Sequence, residues 1–300
     1  MTPDPNREQS VAVLGLGIMG SALARNLIER EFDVRGFDPD SAAAERAANN
    51  GVTIAATAFE AAQGTRHILS SLPSESALVL TADSLTSGRR DPATKAVLIE
   101  LSTLSVESKL ESYQHLSKNG IEMLDCPISG TGAQAQSKDI VLYASGNEDA
   151  FTSCQPIFDA IARESFFLGG FGNGMRMKLI ANLMVAIHNV ASAEALALAK
   201  KAGLDPQQVF DVISSGAGSS KIFELRGPMM VDETYQPATM KLDVWQKDMA
   251  LIQDFATKLG AITPLFEATQ PLYESAIKLD LGEHDTAAVH KILAQAIEKD

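Results

Sequence analysis

The sequence predicts an α/β protein in which an N-terminal doubly wound parallel sheet is joined by a long helix to a C-terminal all-α domain. Three observations carry that prediction. Short β-branched apolar runs alternate with helical patterns over the first half of the chain, and strand signals nearly vanish beyond about Gly174. The glycine-rich stretch LGGFGNG, residues 168–174, marks the change of texture. The domains are accordingly drawn at 1–170 and 171–300.

Residues 11–15, VAVLG, form an apolar run ending in glycine, and Ser21 to Glu31 then places Ala22, Leu23, Leu27 and Ile28 on one side of a helix. The alternation continues through VRGF at 34–37, an alanine-rich helix at 41–49, HILSSL at 67–72, AVLIEL at 96–101 and IEML at 121–124. Strands separated by helices imply parallel pairing. Farther on, apolar residues recur at helical spacing through 175–202, 206–214, 241–259, 265–279 and 286–298. The first of these helices would be about 42 Å long at the standard rise per residue, enough to bridge both domains. Its apolar surface runs all round, which implies burial on more than one side, by the neighbouring domain or by a second copy in a homodimer or homotetramer.

Composition excludes several function classes. A chain of 300 residues that is 45% hydrophobic can bury a substantial core, so disordered and fibrous classes are out. Its 25 Lys and Arg against 38 Asp and Glu leave a net charge of -13, which opposes binding to nucleic acid or to an anionic membrane surface. Cys126 and Cys154 alone make neither a disulfide framework nor a zinc cluster, and the five histidines lack paired ligand spacing, so the expectation is no metal and a reducing, cytoplasmic setting. The polar start, Met1 to Ser10, has no basic flank leading into an apolar segment, so no secretion signal is expected there. The longest uncharged apolar run, 179–193, is interrupted by Asn182, His188, Asn189 and Ser192, and falls short of the roughly 20 residues that span a bilayer, so no membrane association is expected.

Gly15-Leu16-Gly17-Ile18-Met19-Gly20 fits GxGxxG between an expected strand and an expected helix, the context that gives this motif its weight. Gly15 permits the tight turn, Gly17 lets backbone approach a pyrophosphate, Gly20 allows close packing of helix and strand, and the helix start offers unpaired N–H groups to the anion. This is the Rossmann arrangement for a dinucleotide. Asp38 follows 18 residues after Gly20, where a carboxylate accepts hydrogen bonds from the adenosine ribose and repels a 2′-phosphate, favouring NAD over NADP. An aspartate that merely begins the turn Asp38-Pro39-Asp40 is the other reading.

Lys178 and Asn182, four residues apart on the long helix after the glycines at 169, 172 and 174, share one face. Burying a lysine on an apolar helix is expensive and lowers its pKa toward the range of proton exchange near neutrality, whereas a lysine in a first helical turn also snorkels commonly. In DCPISGTG, residues 125–132, the backbone N–H groups of Ser129 and Gly130 with the Ser129 hydroxyl make a cradle for a carboxylate. Cys126 in that motif reads as a small buried thiol, and Trp245 and Met249 read as core with Leu242 and Ile252. SGAGSS, residues 215–220, is either a plain connector or a segment presenting Ser220 to substrate.

In this order, GLGIMGSALARNL, DCPISGTGAQA, GGFGNGMRMKLIAN and KDMAL make the chain resemble the β-hydroxyacid dehydrogenase family, which includes 3-hydroxyisobutyrate dehydrogenase, tartronate semialdehyde reductase and threonate dehydrogenase and is related to 6-phosphogluconate dehydrogenase. The resemblance implies Lys178 as the catalytic lysine, Asn182 as its companion at the substrate, and Ser129 with Gly130 as the carboxylate cradle. It implies cofactor contacts at Leu72, Pro73, Thr103 and Lys247, the last closing over the site. The implied activity is NAD(P)-dependent hydride transfer to or from a small 3-hydroxy acid or its semialdehyde. Thr131 and Lys138 stand where the family often has glycines, so the substrate rim differs. An imine reductase or a non-catalytic dinucleotide-binding protein is the alternative, and Lys178 argues against both.

Overall fold

The computed structural model describes residues 9–89 and 91–298; the expected polar start before residue 9 lies outside them. Contacts divide the chain into two compact units, the first ending at Lys178 and the second beginning at Leu179.

The first unit opens with β1 (Ser10–Leu14), α1 (Ile18–Ile28), β2 (Asp33–Phe37), α2 (Ser41–Asn49), β3 (Thr53–Ile54), α3 (Ala58–Ala62), β4 (His67–Ser70), α4 (Glu75–Thr86), β5 (Val97–Glu100), α5 (Val106–Lys118) and β6 (Glu122–Asp125). The strands form one sheet in the order β3-β2-β1-β4-β5-β6, every pair parallel. From β1 the strands are added first to one side and then, beginning with β4, to the other, and sheets of this kind bind ligands at the carboxyl ends of the strands at such a switch point. The expected doubly wound sheet is present. Its strands are apolar on both faces: Val11 and Val13 join one buried cluster, Ala12 and Leu14 the other, as a parallel sheet covered by helices on both sides requires.

A small second sheet, unanticipated in the sequence, follows within the same unit. It comprises β7 (Ile128–Ser129), then α6 (Gly132–Gln136), β8 (Val141–Ala144), α7 (Glu148–Ser153), α8 (Gln155–Ile161) and β9 (Glu164–Phe167), with β7 antiparallel and β9 parallel to the central β8.

The long helix α9 (Asn173–Lys201) starts in the first unit, and the division between units falls inside it. Beyond it come α10 (Pro206–Ser214), α11 (Lys221–Val231), α12 (Leu242–Leu259), α13 (Pro264–Lys278) and α14 (Val289–Glu298), and among the described residues no strand follows β9. Leu242, Trp245, Met249, Ile252, Phe266 and Tyr273 are buried. Asn189 donates to the Tyr273 hydroxyl and to the Thr286 carbonyl, both at 2.9 Å. With 29 residues and a mean hydropathy of 1.4 over its most apolar stretch, α9 is long and apolar enough to cross a membrane, where the sequence suggested a shorter, interrupted run. Its buried Asn189, hydrogen-bonded to Tyr273 and Thr286 of other elements, is the mark of a core helix rather than a lipid-facing one.

One buried ion pair anchors the second unit. Arg226 Nε lies 3.2 Å from Asp285 Oδ1, and Asp285 also accepts hydrogen bonds from the Thr239, Met240 and Ala287 amides and from the Thr239 hydroxyl. Burial works against that carboxylate's charge, but Arg226 and the four donors outweigh it and hold the carboxyl below its usual range.

Candidate active site

The glycine loop leaves β1 at Gly15, whose φ of +86° lies in the left-handed region and whose N–H donates to the Phe37 carbonyl at 2.9 Å. A Cβ at Gly15 would run into the Ser71 carbonyl, and one at Gly20 into the Gly15 carbonyl. Gly17 differs. Its φ is -65°, which any residue adopts, and a Cβ there meets nothing within 4 Å. Nothing inside the protein demands glycine at Gly17, so the open space fits a group from outside, as a closely approaching pyrophosphate requires.

The helix that follows supports the same fit. The N-caps of α2 through α7, Asp40, Thr57, Ser74, Ser105, Thr131 and Asn147, each accept a hydrogen bond from a first-turn amide of their own helix. Gly17 caps α1 with no side chain, and no acidic residue stands in its first turn. Its amides and dipole therefore suit an external anion. Leu16 is buried, Met19 is half-buried, and Ile18 is 81% exposed beside this opening.

Asp38 follows β2 and uses both oxygens: Oδ2 accepts the Leu16 amide at 2.6 Å and Oδ1 the Asp40 amide at 2.8 Å. It thereby performs the turn-initiating role and also brings a carboxylate to the glycine loop, where ribose hydroxyls bind in this fold. Leu72 and Pro73 follow β4, and the Leu72 amide donates to Ser102 Oγ at 2.7 Å, one residue before half-buried Thr103.

Ser129 ends β7, and Gly130, at φ +144°, packs so closely on Ile140 that a Cβ would collide with it. Thr131, which departs from the family pattern, has its hydroxyl committed to a capping box with Gln134 at the start of α6. Asn26 of α1, fully buried, donates to the Ala135 carbonyl at 2.7 Å, tying the helix after the cradle to the helix after the glycine loop.

The start of α9 is held from a distance. The Gly174 amide donates to Ser145 Oγ at 2.9 Å and the Met175 amide to Asp125 Oδ2 at 2.8 Å, so two of the unpaired first-turn donors are satisfied by strand-end side chains. Asp125 is the first residue of the cradle loop. Its other oxygen lies 2.8 Å from the Lys109 ammonium, which also lies 2.6 Å from Glu100, all three side chains being fully buried. Burial alone would discharge Lys109, but Asp125 and Glu100 outweigh it and raise its pKa above the ordinary lysine range. In the sequence this lysine stands in no motif and on a polar helix, so nothing local marks it.

One turn into α9, Lys178 is buried, and Asn182 is buried four residues later. In the second unit, the Asn182 side-chain amide donates to Asp248 Oδ2 at 2.9 Å. Lys247 is exposed on α12, whereas its neighbour Asp248 is buried. Asp248 was missed in the sequence although a signal existed: it shares the helical face of Trp245, Met249 and Ile252, where a carboxylate needs a reason to be.

The first unit thus gathers the glycine loop, Asp38, Leu72, Thr103, Ser129 and Gly130 at the carboxyl ends of its strands, with Lys178 on the helix tied to Asp125. Asn182 and Lys247 belong to the second unit. Ser220 serves as the N-cap of α11, accepting from the Phe223 amide at 3.0 Å, which is the connector role. Cys126 is buried and its thiol is pushed well above the usual range by burial, leaving no thiolate for nucleophilic chemistry. Among the described residues no group of three or more His, Cys, Asp or Glu is placed to hold a metal ion.

Comparison with known proteins agrees with this geometry. Residues 10–170 match the NAD binding domain of 6-phosphogluconate dehydrogenase, and residues 172–293 match the NAD-binding domain of NADP-dependent 3-hydroxyisobutyrate dehydrogenase. The chain is 32% identical over 296 residues to L-threonate dehydrogenase of Haemophilus influenzae, covering 96% of each chain. Among solved structures, Mycobacterium tuberculosis 3-hydroxyisobutyrate dehydrogenase with L-serine superposes at a TM-score of 0.86 with 28% identity, covering 95% of this chain and 99% of that one. A Streptomyces aurantiacus imine reductase reaches 0.62 at 19% identity, covering 95% and 99%, a likeness of fold alone. The glycine loop with its open anion site, the strand order and these matches together place the chain in the β-hydroxyacid dehydrogenase family, the NAD(P)-dependent oxidoreductases that act on the CH–OH group of hydroxy acids.

Proposed function

We propose that this chain oxidises a small 3-hydroxy acid, or reduces the corresponding semialdehyde, with Lys178 as general base in one direction and general acid in the other. The observation that carries the reading is the tie between Asp125 and Met175: the loop bearing Ser129 and Gly130 is hydrogen-bonded to the helix turn bearing Lys178. When bound, the nicotinamide supplies the hydride acceptor or donor. Ser129 Oγ–H and the Gly130 amide hold the substrate carboxylate, and Lys178 takes the hydroxyl proton during oxidation or returns it during reduction. Asn182, oriented by Asp248, contacts the substrate; Lys247, Leu72, Pro73 and Thr103 contact the cofactor. The positive charge of Lys178 and Lys247 reconciles an anionic substrate with a chain of net charge -13. Asp38 favours NAD over NADP.

The relatives named for threonate and 3-hydroxyisobutyrate set the substrate class to assay. Absorbance of the reduced cofactor is followed with NAD and NADP against 3-hydroxy acids, glycerate, threonate and their semialdehydes. Lys178→Ala is expected to lower kcat by roughly 100-fold or more while cofactor binding survives, as loss of an acid/base group does. Turnover near that of the parent chain removes Lys178 from the mechanism. The reading extends to a cytoplasmic homodimer or homotetramer, in which a second copy covers exposed Ile180, Met184 and Leu198 of α9. A light-scattering mass equal to one 32.0 kDa chain would overturn that assembly.

A further inference from the structure

Polar groups buried in a parallel sheet protein are costly unless paired, and three ionisable side chains buried together call for an account beyond stability. Glu100 and Asp125 end adjacent strands β5 and β6, on the ligand-binding edge of the sheet, and Lys109 reaches them from α5, the helix that connects those strands. All three are fully buried. What distinguishes the cluster is where its hydrogen bonds lead.

On one side, Glu100 Oε1 accepts the Ser102 amide at 3.0 Å, and Ser102 Oγ accepts the Leu72 amide at 2.7 Å, reaching the segment proposed to lie against the nicotinamide. On the other side, Asp125 Oδ2 accepts the Met175 amide at 2.8 Å and the Ser145 hydroxyl at 3.2 Å, and Ser145 Oγ accepts the Gly174 amide. Met175 precedes Lys178 by three residues on the same helix. Gly174 packs so closely on the Tyr143 and Asp125 carbonyls that a Cβ would not fit, so the helix start has no slack in this direction. An unbroken chain of hydrogen bonds and ion pairs, all inside the first unit, therefore runs from Leu72 to the turn that carries Lys178, and among the described residues the Lys109 ammonium is what joins the two carboxylate groups, whose strands pair through their backbones.

The geometry points to Lys109 as a positioning residue: by bridging Glu100 and Asp125 it sets where the Lys178 turn lies relative to the Leu72 strip. It touches no substrate or cofactor and acts through Asp125. The inference rests on Lys178 as the proton carrier, since misplacing an acid/base group by about 1 Å suffices to slow a reaction on the order of 100-fold.

Lys109→Met tests it, with amide hydrogen exchange and kinetics measured on the full chain. Exchange at Leu72, Gly174 and Met175 is expected to quicken while the central amides of β1 and β4 stay protected. The value of kcat is expected to fall roughly 10- to 100-fold, with KM and cofactor Kd held within about threefold, the split of a transition-state geometry effect. Because two carboxylates are left without their cation, the double variant Lys109→Met with Glu100→Gln is measured alongside; it removes one of the two charges and restores the net charge of the parent cluster, and the broken bridge still predicts quicker exchange at Met175 and lower kcat. Unchanged exchange at Met175 in a folded variant overturns the inference, as does kcat equal to the parent's in either variant. The exchange readout is independent of substrate: if Lys178→Ala proves active, the proposed chemistry falls, while protection lost at Met175 still supports the bridge.

Discussion

Among the described residues, each unit buries a cluster of ions built on a basic side chain and its carboxylates, and the two clusters do different things. In the first unit Lys109 sits between Glu100 and Asp125; in the second Arg226 sits on Asp285. Both are desolvated, and in both the carboxylates are spread over additional donors. The donors differ. Those around Asp125 and Glu100 belong to Met175 and Ser102, which lead to proposed site residues. Those around Asp285 belong to Thr239, Met240 and Ala287, which join the approach to α12 to the approach to α14 and touch no proposed site residue. A buried charge is thus a pointer to function only when its hydrogen bonds end on the reacting apparatus; otherwise it is a rivet.

The largest effect that would test this contrast is on stability in the second unit. Arg226→Met strands Asp285 without its cation and is expected to cost about 3–5 kcal/mol in urea unfolding, with kcat per folded molecule unchanged. A tenfold loss of kcat in folded protein would erase the distinction between the clusters. A somewhat smaller effect concerns a group that burial has neutralised rather than paired. His67, at the start of β4, has its pKa pushed down to about 4, first by burial and then by the charge of Arg66, against a hydrogen bond with the Ser153 backbone. The folded chain resists protonation that the unfolded chain accepts near pH 6.5, so this contribution is intact above that pH and is lost as pH falls toward 4. Unfolding free energy is expected to drop by about 3 kcal/mol more between pH 7 and pH 4 in the parent chain than in His67→Leu. Parallel pH dependence in the two proteins would show that His67 titrates normally.

Much of the frame was legible in the sequence because each cue was local. The glycines of the first turn, the alanine-rich helix at 41–49 capped by Asp40, and the helix at 206–214 opened by Asp205 and Pro206 all announce themselves within a few residues. The helices at 75–86 and 106–118 carry such cues in Ser74 and Ser105 and were legible though unnamed, whereas other elements lack them. Strands β7 to β9 are two to four residues long, and α11 carries Gly227 and Pro228 inside a helix whose apolar residues face all ways. The site divides the same way. Lys178 and Ser129 stand in motifs, whereas Lys109 looks like an ordinary charge on a polar helix until the fold brings it to Glu100 and Asp125, 9 and 16 residues away.

Gly17 carries a practical consequence. Because its backbone and surroundings accept a side chain, a serine or aspartate there would furnish α1 with the cap it lacks and make the empty protein sturdier. The same atoms would occupy the berth of the pyrophosphate. Heat-driven laboratory evolution carried out without coenzyme would therefore reward molecules that have forgotten how to bind it.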